Sequence, residues 1–93
     1  MKFVLYVDLV NSPDAVAKMF LTVKQGNLSI ESVNMHRTGD GRNLTAILLL
    51  EGEEGKGDWL ANKLLNYPYF EKTQLMKTGP YTRFYDSPDQ RRP

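Results

Sequence analysis

The side chains able to do chemistry are few in this sequence and poorly spaced for acting together. His36 is the single histidine and no cysteine is present. Thiolate metal sites, disulfides and thiol nucleophiles are therefore excluded. No second metal ligand shares the segment of His36, so neither a metal-binding pair nor a base with its orienting partner is formed there. No glycine-rich phosphate cradle precedes either helix proposed below. Asp40, Glu53 and Glu54 lie among glycines and read as solvated loop charges, and His36 reads as a solvated residue near a strand end. The expectation is a chain that binds or pairs and is not an enzyme, with no cofactor and no metal.

Charge and size narrow the partners. The net charge is +1, and residues 1–78 carry nine basic and nine acidic side chains. No basic stripe of the kind that grips phosphates results, so nucleic acid is not the expected partner. At 93 residues, 41% hydrophobic and 25% charged, the chain suits one hydrophobic core and is too apolar for a disordered polymer. The apolar stretch Phe3 to Val10 is too short to span a bilayer and has no small-residue cleavage site, so it reads as a strand, with no membrane as partner. The plainest location for such a chain is cytoplasmic.

The elements that must position any site follow from periodicity. Phe3, Leu5, Val7 and Leu9 share one face of an extended segment whose other face is mostly apolar too, which implies a central strand covered on both sides. Ser12-Pro13 is a helix start, with serine as cap and proline in the first turn. Val16, Met19, Phe20 and Val23 then form one apolar stripe, and Gly26 is expected as a left-handed terminator, giving a helix over Pro13–Gln25. Leu28 and Ile30 fall on one parity but Val33 and Met35 on the other, which implies a bulge near Glu31-Ser32 in an edge strand. Asp40-Gly41 marks a hairpin into the internal strand Leu44–Leu50. Asp58 is expected to cap a second helix with Leu60, Ala61, Leu64 and Leu65 on its stripe, stopped before Pro68. Tyr69–Lys77 reads as a second edge strand guarded by Glu71, Lys72 and Lys77.

The order strand, helix, strand, strand, helix, strand is that of a ferredoxin-like βαββαβ sandwich, an α+β fold. Its four-stranded antiparallel sheet has the spatial order 4-1-3-2, with two helices on one face. The domain is placed at residues 1–78, with 79–93 as a C-terminal tail. Two helices cover one side of such a sheet, which leaves Val4, Tyr6 and Val10 on the other. Together with strand-three residues and the tail aromatics Tyr81, Phe84 and Tyr85, they are the expected interface, and oligomerisation, most simply a homodimer, is the expected outcome.

Fold does not choose a function, so particular residues must. Leu5-Tyr6-Val7-Asp8-Leu9 is similar to the first-strand signature of RNA-recognition modules. The third strand, Asn43 to Leu50, however, has no aromatic or basic side chain to complete a stacking platform. An acylphosphatase-like site needs a basic residue after the first strand, and Asn11-Ser12-Pro13-Asp14 has none.

The run Val7 to Lys18, with its Pro-containing turn, resembles the start of ACT regulatory domains. Gln25-Gly26-Asn27-Leu28-Ser29-Ile30-Glu31-Ser32-Val33 resembles the helix exit and second strand of acetolactate synthase small subunits. The similarity spans residues 2 to 78. It implies a regulatory module that pairs with itself, binds a small-molecule effector such as an amino acid and serves a separate enzyme subunit. On this sequence the matching ligand positions are Asn11, Ser12, Pro13, Asp14 and Ala15, with Asn27 and Ser29 contributed across a dimer. The family usually has glycine where Asp14 stands and asparagine where Ser29 stands. Asp14 disfavours a ligand carboxylate at its position and favours an ammonium. The alternative is a ligandless interaction module, in which Ser12 and Pro13 simply start a helix and Gly26 ends it.

Overall fold

The computed structural model describes residues 1–77 and the backbone of 82–86. The elements are β1 (Lys2–Val10), α1 (Pro13–Gln25), β2 (Ser29–Arg37), β3 (Asn43–Glu51), α2 (Lys56–Leu64), β4 (Phe70–Lys77) and β5 (Thr82–Asp86). All pairings are antiparallel and the sheet order is β2-β3-β1-β4-β5. Its first four strands form the expected ferredoxin-like sandwich, read from the opposite edge. The fifth strand is additional. Thr82 to Asp86 pair with Met76 to Lys72, so β4 is an inner strand and not the edge its charges implied.

The core explains why the strands alternate. Phe3, Leu5, Val7 and Leu9 of β1 are buried, and so are their neighbours Leu44, Ala46, Leu48 and Leu50 of β3 and Phe70 and Leu75 of β4. Against them lie Ala15, Met19 and Val23 of α1 and Leu60, Ala61 and Leu64 of α2, in one cluster. Both helices therefore cover the same face. Fully burying a leucine or phenylalanine is worth about 1.5–3 kcal/mol, so this layer supplies most of the driving force. The two buried threonines are satisfied: the Thr22 hydroxyl donates to the Lys18 carbonyl at 2.7 Å and the Thr73 hydroxyl to the Ala61 carbonyl at 3.2 Å.

Local details differ from expectation in three places. Gly26 has φ −80°, and the left-handed residue is Asn27 at φ 56°. Asparagine tolerates that conformation, and glycine is needed at 26 for space: a Cβ there would lie 2.6 Å from Trp59 Cζ3. The second helix starts at Lys56 behind Gly55, at φ 91°, so Asp58 lies within the first turn instead of capping it. There it accepts from Lys77 Nζ at 2.7 Å, joining the helix to the end of β4. Finally, β1 is covered on one face only, because Val4, Tyr6 and Asp8 are half-buried and Val10 is exposed. The expected bulge is present as a register shift between Ile30 and Ser32.

Candidate functional site

The β1–α1 loop is built largely from its own hydrogen bonds. Ser12 is extended, as a cap must be, and its hydroxyl accepts from the Ala15 N–H at 3.1 Å. Pro13 occupies the first helical position, where no N–H is required. The Asn11 N–H donates to the Arg42 carbonyl and its side-chain amide donates to the Gly41 carbonyl, both at 2.9 Å. The loop is thus clamped to the tip of the β2–β3 hairpin, while the Val10 N–H donates to the Tyr69 carbonyl on the other flank.

The hairpin tip is held by Asp40. Its Oδ1 accepts from the Arg42 N–H at 3.0 Å and from the Thr38 hydroxyl at 2.8 Å. These bonds, the Arg42 N–H first, favour the charged form and hold the Asp40 carboxyl below its ordinary pKa. Beside the tip, Met35, His36, Arg37, Thr38, Asp40 and Leu44 line an open depression of about 770 Å³. Among the described residues, no three histidine, cysteine, aspartate or glutamate side chains gather as a metal site.

Asn11, Ser12, Pro13, Asp14 and Ala15 thus stand together at the α1 N-terminus, with Asp14 exposed and Ala15 buried. Asn27 and Ser29 do not join them. They follow the C-terminus of α1, thirteen residues on, which at 1.5 Å per residue is about 20 Å away. Ser29 pairs with Glu51, at the sheet end opposite Val10. Within one chain these two groups are too far apart to touch one small ligand.

The second candidate surface is the sheet face without helices. Val4 and Tyr6 stand at its centre, flanked by Leu49 and Ile47 on β3 and by Met76 and Gln74 on β4. Ile47 and Met76 are 39% and 36% exposed. Asp8, bonded by the Thr45 hydroxyl and 3.5 Å from Lys72 Nζ, closes one end. Lys2, 3.1 Å from Glu31 Oε1, closes the other, and this pairing raises the Lys2 pKa. Val10 lies at the loop end of the same face. Tyr81 lies outside the described residues, as do the side chains of Phe84 and Tyr85. Met76 was missed because the register of β4 against β1 shifts between Asp8 and Leu9, so simple alternation does not assign its faces.

No protein-family model and no curated protein matches the chain. Solved structures do. The C-terminal domain of the MgtC protein from Mycobacterium tuberculosis is similar over 98% of this chain and 93% of that one, with a TM-score of 0.63 at 15% identity. A homoserine dehydrogenase from Thiobacillus denitrificans is similar over 92% of this chain, with a TM-score of 0.56 at 14% identity, and the match spans 17% of that enzyme. At such identities the likeness is one of fold, a ferredoxin-like α+β sandwich.

Proposed function

We propose that the chain is a non-catalytic, ACT-like regulatory module that acts as a homo-oligomer and takes a small molecule, an amino acid being the first candidate, at the β1–α1 loop. The observation that carries the reading is the apolar sheet face around Val4, Tyr6, Ile47, Leu49 and Met76, which no helix of the described residues covers. A face of this kind is ordinarily buried against a partner. On this reading Asn27 and Ser29, which stand apart from Asn11 to Ala15 within one chain, meet them across two copies. The similar structures support it too: one is the C-terminal domain of a protein and the other match occupies a small part of a dehydrogenase chain.

A second reading, a ligandless interaction module, draws on the loop itself. Asn11 and Ser12 already spend their side chains on Gly41 and Ala15. Thermal denaturation against a panel of amino acids separates the two. An effector at about a hundred times its Kd adds roughly 2.7 kcal/mol. For a domain of this size that raises Tm by upward of about 10 °C. A flat response across the panel leaves the ligandless module.

A further inference from the structure

The open sheet face carries a pattern that specifies how two copies meet. Val33, Leu48, Leu5 and Leu75 stand at one level across β2, β3, β1 and β4. A two-fold axis lying in the interface and crossing the strands at that level maps each strand onto itself reversed. Val4 then meets Tyr6 of a second copy, Leu49 meets Ile47 and Met76 meets Gln74. At the rim, Lys2 meets Asp8.

The alternatives are worse on the same residues. An axis running along β1 keeps every residue at its own level, setting Lys2 against Lys2 and Asp8 against Asp8. Moving the crossing axis one residue toward Val4 sets Ile47 against Glu51, and moving it toward Tyr6 sets Val4 against Asp8. Both bury a charge on an apolar side chain. Stacked sheets lie about 10 Å apart and turn by roughly 30°, which displaces positions three residues from the axis by about one strand spacing, within reach of a lysine stem. The in-chain partners of the rim charges, Glu31 for Lys2 and Lys72 for Asp8, are no obstacle, since surface ion pairs exchange at little cost.

We infer that this chain forms an isologous dimer by stacking its open sheet faces about a two-fold axis at the level of Leu5, with Lys2 of each copy placed against Asp8 of the other. This rests on the oligomeric reading above and adds its geometry.

Sedimentation equilibrium of the full chain across the micromolar range tests it, with circular dichroism to check folding. The wild-type chain is a dimer. Ile47→Lys, at a position exposed enough to spare the fold, weakens pairing by more than about tenfold, because the isologous contact counts the change twice. Lys2→Asp and Asp8→Lys each weaken it, and the double reversal restores affinity to within a few fold. Within one chain Lys2 and Asp8 lie at opposite ends of β1, so a merely internal effect gives no such rescue. A dimer indifferent to Ile47→Lys, or charge reversals without rescue, overturns the stacked arrangement and leaves pairing through another surface. A wild-type chain that stays monomeric throughout overturns both this arrangement and the oligomeric reading.

Discussion

Ser12 and Asp40 show how polar residues of the loop and hairpin serve the fold before any ligand. The Ser12 hydroxyl accepts from the Ala15 N–H in the first turn of α1, so Ser12→Ala is expected to cost about 1 kcal/mol of stability in urea denaturation. Any loss of ligand affinity beyond that would mean that the hydroxyl also contacts the ligand. Asp40 is linked to pH. Its folded pKa is depressed by the Arg42 N–H and then the Thr38 hydroxyl, so its contribution is complete above the ordinary aspartate value and is lost as pH falls through the lower, folded one. The Arg42 amide resonance should therefore titrate with a midpoint below the ordinary aspartate pKa and stop titrating in Asp40→Asn. A midpoint at or above the ordinary value would contradict the bonding at the hairpin tip.

Packing between elements explains what the sequence conceals. Gly26 is buried against the Trp59 indole, and a Cβ there comes within 2.6 Å of the ring. Gly26→Ala is expected to push the ring outward, costing about 1–3 kcal/mol, with a red shift of tryptophan emission as the direct readout. Helix α1, the hairpin and the buried stripe of β1 were legible because each is signalled by neighbours in sequence: Ser12-Pro13, Asp40-Gly41 and strict alternation. The start of α2 was not. Lys56-Gly57 looks like loop, yet Gly57 is buried, with Phe3 and Leu75 both 3.1 Å from where its Cβ would be, so it is a packing glycine inside the helix. The candidate loop was legible in composition only. Its clamp to Gly41 spans thirty residues of sequence, and no local pattern reports such a bond. β5 escaped for the same reason, since the signal for pairing with β4 is the register of an already formed strand.

At the scale of the molecule, β5 alters which edges the sheet offers. Among the described residues, the buried core runs from Phe3 to Leu75. What β5 does is occupy the hydrogen-bonding edge of β4 from Lys72 to Met76, so the outer strands of the described sheet are β2 and β5. β2 is guarded by its bulge near Glu31 and by polar residues such as Ser32, Asn34 and His36. β4 has weaker protection of its own. Two of its charges are turned to other uses, Lys72 toward Asp8 and Lys77 toward Asp58. A chain ending at Lys77 should keep the strands and helices of its circular dichroism spectrum and unfold cooperatively, because it retains the cluster from Phe3 to Leu75 that joins both helices to the sheet. In light scattering it should associate beyond the size of the full-length protein as concentration rises, because the eight-residue β4 offers a longer open edge than the five-residue β5 that covers it. Loss of cooperative unfolding in that variant would show instead that β5 belongs to the folding unit. Unchanged association would show that Glu71, Lys72 and Lys77 guard the edge without it.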